Sequence, residues 1–311
     1  MIKIEIEDNI KEFIYTEHYK DISVRVKSII GNINGKIRYK KFQDYFCDTS
    51  GNIIENRLKK LIIGNKNDLI EIINFVGEIP LEKNDQFDKL YTNFTSRVWS
   101  KSLLEKINVK VCPYCNSQSI PNIVSAGIRP QFDHYFPKSL FSYLSASLYN
   151  LIPSCSICNS KKHALNTYKS NNDLYYPYED EFGSEVVFQT CPNDNDFSYM
   201  NGETTNFDIK LYCVDNKHNC KVENINKHLK IELLYKEHKN HVRDIIKNAI
   251  INNDSRIDEL LEHFPDLFQS KTEVISLIFM SNIEKKDWGE RPLSKLTHDI
   301  YKEFKLFSSN D

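Results

Sequence analysis

The chain has 311 residues, 40 % of them hydrophobic and 12 % aromatic, with a formal net charge of −2. That apolar content supports a buried core and excludes wholesale disorder, and the small net charge excludes a protein that coats nucleic acid or a membrane surface along its whole length. No apolar run approaches the roughly 20 residues that a transmembrane helix requires.

In chain order, Met1–Glu7 alternates isoleucine with charge, which predicts a strand and lacks the continuous apolar stretch of a signal peptide. A cytosolic location and no membrane partner are the expectation. Gly35–Lys41 is a basic cluster around Tyr39, read as an exposed strand that could touch a phosphate backbone. Only four alanines occur beside abundant Lys, Asn and Ile, so lysine counts alone say little and only clusters carry weight. Asp85–Val109 places Phe87, Leu90, Phe94, Val98, Leu103 and Leu104 at mostly helical spacing. Residues 1–107 thus read as a mixed, mainly helical region.

The next segment holds four of the eight cysteines, in two Cys-x-x-Cys pairs: Cys112 with Cys115, and Cys155 with Cys158. A reducing cytosol disfavours structural disulfides. Two such pairs, each offering two thiolates from one knuckle, match a tetrahedral structural Zn²⁺ site. Cys47, Cys191, Cys213 and Cys220 read as ordinary buried thiols, with a looser metal site of Cys191, Cys213, Cys220 and His218 as the alternative.

Between the knuckles lies Gln131-Phe132-Asp133-His134-Tyr135-Phe136-Pro137, then Asn150-Leu151-Ile152-Pro153. The first reads as a short strand stopped by Pro137 and the second as its returning partner. Ser154 or Ser156 is the expected cap of a helix that starts at the second knuckle and carries Asn159, Lys161, Lys162 and His163. Adjacent strand residues face opposite ways, so Asp133 and His134 can serve one site only if the strand end bends.

Cys112, Cys115, Asp133, His134, Pro137, Asn150, Cys155, Cys158, Asn159 and Lys162, in this order, resemble the HNH (ββα-metal) endonuclease family over about residues 108–166. The resemblance implies that Asp133 and Asn159 hold a catalytic Mg²⁺ or Mn²⁺, that His134 deprotonates water, and that Asn150 fixes the loop between the strands. The chemistry agrees: a histidine suits water activation near neutral pH, and hard cations take carboxylate and amide oxygens. His163, four residues after Asn159 on the same helical face, is a further metal ligand in some relatives. Lys161 and Lys162 are the expected phosphate contacts. Tyr135-Phe136 departs from the small aliphatics usual after the histidine.

Arg129, Lys138, Lys161, Lys162 and Lys169 stand against Asp133 alone between 129 and 170, which fits a polyanionic substrate. Residues 171–208 then carry nine acids and no Lys or Arg, read as a solvated loop-and-strand insert. Phe207–Val214 alternates like a strand. Helices are expected over 223–251, 254–269, 271–283 and 293–307.

The expected architecture is therefore α+β. A ββα-metal core with structural zinc (108–170) is followed by an acidic insert (171–220) and a helical C-terminal region (221–311). The expected function is metal-dependent hydrolysis of DNA. Free-standing proteins of this family with such flanks resemble effectors of bacterial anti-phage systems, paired with an ATPase. An RNase toxin using the same site, or a zinc-stabilised binding module without chemistry, are the alternatives.

Overall fold

The computed structural model describes residues 1–83, 85–194 and 196–308. Helices sit beside two separate two-stranded antiparallel sheets, which makes the protein α+β. The chain forms two compact units, one from Ile4–Val109 and Ile120–Tyr178, the other from Met1–Lys3, Lys110–Ser119 and Glu179 onward. The expected helical region 1–107 and most of the expected core 108–170 thus share one unit, while residues 110–119 belong to the other. The acidic segment divides between them after Tyr178.

The first unit begins with α1 (Asp8–Asn32), which buries Ile14, His18, Ile22, Val26 and Ile30 along one face. α2 (Lys40–Phe46), α3 (Glu55–Ile63) and α4 (Lys66–Val76) follow. The start of α4 is fixed by a capping box between Asn65 and Asp68, and Gly77 ends it at φ 76°, a left-handed geometry that glycine adopts without strain. The helical stretch expected over 85–109 is two helices, α5 (Gln86–Thr95) and α6 (Val98–Ile107), because Arg97 turns extended between them. Asp85 caps α5 and left-handed Asn108 closes α6. Strands β1 (Gln131–His134) and β2 (Leu151–Ser154) pair antiparallel and lead into α7 (Ser156–Lys162).

The second unit is built on the hairpin of β3 (Val186–Pro192) and β4 (Phe207–Cys213). β4 matches the expected strand. Val186, Phe188, Phe207 and Ile209 are buried, as period-2 alternation requires. Around the hairpin lie α8 (Asn219–Leu229), α9 (Ile231–Lys236), α10 (Lys239–Ile251), α11 (Asp254–His263), α12 (Lys271–Ile278) and α13 (Ser294–Ser308). α10 packs along α13 and α13 along β3. Side-chain carboxylates occupy three of the hairpin's backbone donors. Phe188 N–H donates to Asp299 (2.9 Å), Thr190 N–H to Glu303 (3.1 Å), and on the opposite edge Leu211 N–H to Glu232 (2.9 Å).

The helical stretch expected over 223–251 is broken into α8, α9 and α10 at left-handed Lys230 and at Glu237–His238, and three further expectations change. Residues 1–7 are not a strand. Met1, Ile2 and Ile4 are buried, and the backbone bonds to isolated carbonyls, Ile2 N–H to Pro113 and Ile4 N–H to Pro177, so the isoleucines are buried without a sheet. The 35–41 cluster is a short 3₁₀ turn at Ile37–Tyr39 running into α2, with Arg38 paired to Glu82 and Asp85. None of the four leftover cysteines is fully buried. Cys47, Cys191 and Cys213 are half-buried and Cys220 is exposed.

Candidate active-site cleft and cysteine cluster

β1 stops at His134, and the chain then makes a long, largely buried loop before returning as β2. One side chain closes that loop. Asn150 is fully buried, and its Oδ1 accepts from Phe136 N–H (2.7 Å). Its Nδ2 donates to the carbonyls of Phe136 (3.1 Å) and Leu144 (3.0 Å). A side-chain amide can donate and accept at once, which is what binding both groups of one peptide residue demands.

His134 ends the strand and is 7 % exposed. Its Nε2 lies 2.9 Å from the Ser145 carbonyl. A carbonyl only accepts, so the proton resides on Nε2 and the Nδ1 lone pair is free. No hydrogen-bond partner for Nδ1 occurs among the described residues. Tyr91, from α5, meets the imidazole edge-on at 4.7 Å between ring centroids. Burial, aided by the Lys138 and Lys162 charges, lowers the His134 pKa to about 3, so the ring is the neutral, proton-accepting form at physiological pH.

His134 and Asp133 both line one open cleft of about 380 Å³, together with Phe132, Tyr91, Pro137, Lys138, Asn159, Ser160 and His163. The strand ends where both side chains reach that space. Asp133 is 2 % exposed and pairs with the Lys162 ammonium, 3.2 Å from Oδ1 and 3.1 Å from Oδ2. Lys162 also donates to the His134 carbonyl (2.6 Å). Its side chain is fully buried, and burial lowers its pKa against the opposing pull of Asp133. Lys162 is therefore tied to the backbone of the site and not displayed to a phosphate, as the sequence suggested. A lysine on a short helix beside a buried carboxylate turns inward to neutralise it. Lys161 is exposed.

Asn159 Nδ2 donates to Gln131 Oε1 (2.7 Å), which turns the amide so that Oδ1 is the spare acceptor. His163 closes α7 and lines the same cleft in an exposed position, at φ 44° and ψ −126°. That backbone geometry is rare for a residue with a Cβ and costs about 1–3 kcal/mol, the kind of strain that concentrates at functional sites. A carboxylate, an amide and two imidazoles thus line one cleft. Asp133, His134, Asn159 and His163 are brought together; Asn150 stands behind them, Lys161 outside and Lys162 underneath.

The Sγ atoms of Cys112, Cys115, Cys155 and Cys158 all lie within 4.8 Å of one another, and all four residues are buried. A tetrahedral Zn²⁺ with Zn–S bonds of ~2.3 Å sets its sulfurs about 3.8 Å apart, so the four thiols could hold zinc with little adjustment. Backbone N–H groups already face two of the sulfurs, Ser117 N–H to Cys115 (3.5 Å) and Cys158 N–H to Cys155 (3.4 Å). Cys155 itself is the N-cap of α7, in place of the serines expected there. The Cys191, Cys213, Cys220 and His218 alternative does not assemble among the described residues, where the four-cysteine cluster is the only His/Cys/Asp/Glu group of metal-binding geometry.

Three contributors escape motif reading. Tyr91 and Gln131 enter through packing and a hydrogen bond, which no spacing rule signals. Lys138 was visible only as one charge in a basic stretch. It is half-buried in the cleft with its ammonium 4.2 Å from the Tyr91 ring centroid, and burial lowers its pKa while Asp88 opposes. A larger cleft of about 470 Å³ among the C-terminal elements is lined by Glu273, Glu284, Asp287, Lys286 and Arg291 but by no histidine or cysteine. No helix among the described residues is long and apolar enough to cross a membrane. Comparison of the chain with protein families, curated proteins and solved structures finds no match.

Proposed function

We propose that the protein is a metal-dependent endonuclease of the HNH (ββα-metal) type that hydrolyses phosphodiester bonds of DNA. The observation that carries this reading is the His134 Nε2–Ser145 carbonyl hydrogen bond, which leaves Nδ1 as a proton acceptor beside Asp133 and Asn159 in one cleft.

Asp133, the Asn159 Oδ1 and His163 would hold the divalent cation, His163 being the least constrained of the three. When bound, that ion relieves negative charge on the scissile phosphate and the leaving oxygen. His134 Nδ1 removes the proton from the attacking water, the new P–O bond forms, and the bond to the leaving oxygen breaks. Asn150 keeps the loop closed so that the imidazole stays aimed. Lys138 at the cleft and Lys161 on the exposed face of α7 are the cations available to phosphates. Zinc at the four cysteines is structural in this reading. The cellular role suggested by the resemblance, an anti-phage effector working with a partner ATPase, rests on that resemblance alone.

With Mg²⁺ or Mn²⁺ the purified protein should nick or cut DNA. His134→Ala should abolish cleavage while zinc content and fold persist. Cleavage by His134→Ala at the wild-type rate would reject the assignment, and parallel digestion of DNA and RNA by one preparation distinguishes a DNase from an RNase.

A further inference from the structure

Three consecutive backbone carbonyls in the loop behind the cleft each accept a hydrogen bond from a different buried side chain. Leu144 C=O takes Asn150 Nδ2 (3.0 Å), Ser145 C=O takes His134 Nε2 (2.9 Å) and Ala146 C=O takes His18 Nε2 (2.8 Å). The first two belong to the motif. His18 does not. It lies in α1, more than a hundred residues upstream, and is fully buried.

The protonation of His18 is fixed from both sides. The Ala146 carbonyl can only accept, so Nε2 carries the proton. The Trp99 indole, from α6, can only donate, and its Nε1 lies 3.2 Å from His18 Nδ1. His18 is thus a neutral bridge from Trp99 to the loop. Aromatic packing locks it further. Phe94, from α5, meets the His18 ring edge-on at 5.5 Å and itself lies tilted against Phe132, from β1, at 5.9 Å between centroids, while Tyr91 one turn earlier on α5 meets His134. One helix face therefore braces both histidines, and two adjacent carbonyls receive them.

From this we infer that His18, held by Trp99, is a positioning residue for His134: it pins the Ser145–Ala146 backbone and so sets the tautomer and aim of the imidazole that accepts the proton. This rests on the nuclease reading for its catalytic consequence, but the structural coupling stands without it. If the Ala146 carbonyl loses its anchor, the Ser145 carbonyl is free to swing, and misplacement of a reacting group by about 1 Å costs up to about 100-fold in rate.

The experiment reads the His134 ring nitrogens by ¹⁵N NMR of histidine-labelled full-length protein, alongside cleavage kinetics on one DNA substrate with Mn²⁺. Wild type should show His134 as a pure Nε2–H tautomer. His18→Leu, close in volume and without polar atoms, should show His134 averaging between tautomers and kcat reduced about 10- to 100-fold, with KM for DNA little changed. His18→Gln, whose terminal amide can still donate to Ala146, should restore the pure tautomer and most of kcat. Trp99→Phe, which removes the indole donor and keeps an aromatic ring there, should reproduce the His18→Leu effect in weaker form and serves if His18→Leu does not fold. An unchanged His134 tautomer and kcat in a folded His18→Leu or Trp99→Phe protein would overturn the inference. Tautomer averaging in a protein whose wild type cleaves nothing would uphold the coupling and reject the nuclease instead.

Discussion

Replacing Asn150 by alanine tests the hinge of the site. The amide makes three buried hydrogen bonds, but the groups left behind are not equivalent. Phe136 N–H and Phe136 C=O lose the partner the structure gives them. Leu144 C=O keeps a second donor, Ser147 N–H at 3.2 Å. An orphaned buried group costs about 1–3 kcal/mol and an ordinary lost bond about 0.5–1.5 kcal/mol. Two orphans and one partial loss therefore put Asn150→Ala at about 3–6 kcal/mol, at the lower end if a water enters the vacated space. Asn150→Asp separates the donor from the acceptor role. It keeps the acceptor for Phe136 N–H but turns an oxygen toward two carbonyls. Burial should raise that carboxyl's pKa above its unfolded value. The variant then holds an extra proton when folded, so its deficit should shrink as pH falls toward 4 and grow as pH rises. Urea unfolding monitored by tyrosine and tryptophan fluorescence at pH 4.5 and 7.5 measures both. A loss below about 1 kcal/mol for Asn150→Ala, or a deficit for Asn150→Asp that does not change with pH, would refute the reasoning.

Metal analysis should find about one tightly held zinc per chain, and chelation or Cys155→Ser should lower the melting temperature steeply, since structural zinc binding is folding energy. A well-folded, zinc-free protein would contradict the cluster's role. Lys138→Ala should raise KM for DNA several-fold and reduce the salt slope of binding by about one, whereas Lys162→Met should act on stability by about 3–5 kcal/mol, because it strands the buried Asp133 charge; equal effects of the two on the salt slope would argue against the inward placement of Lys162. Glu303 is pushed up to about 7 by burial, outweighing its bonds from Thr190. Its folded value lies above the unfolded one near 4.5, so it costs stability as pH rises from about 4.5 to 7. Glu303→Gln should flatten that slope and leave the protein up to about 3 kcal/mol more stable than wild type at pH 8, as read from thermal melts across the range.

Local chemistry was legible where a few neighbouring residues decide it. The paired cysteines, a short strand ahead of Pro137 and its return after Asn150 follow from short spacings, whereas the sharing of one site by Asp133, His134 and Asn159 was implied by the resemblance and not by any spacing. What was illegible depends on distant partners. Lys162 looks like a surface charge until the Asp133 carboxylate beneath it is known. His18 looks like one more helix residue until Ala146 and Trp99 arrive from elsewhere in the chain. The alternation at Met1–Glu7 predicts burial of the isoleucines correctly but not its form, because a period of two does not say whether a strand partner exists. The gap at Ser96–Arg97 was hidden because both flanking helices keep the same apolar spacing.

The carboxylates along the β3–β4 hairpin have a consequence for behaviour at high concentration. A two-stranded ribbon normally offers its outer amides to any passing chain, and in that way it can seed fibrils. Here Asp299 and Glu303 on one margin and Glu232 on the other already take those amides. An intruding strand would have to evict a bonded acid at Phe188, Thr190 or Leu211, so the helices that carry those acids hinder templated growth along the ribbon.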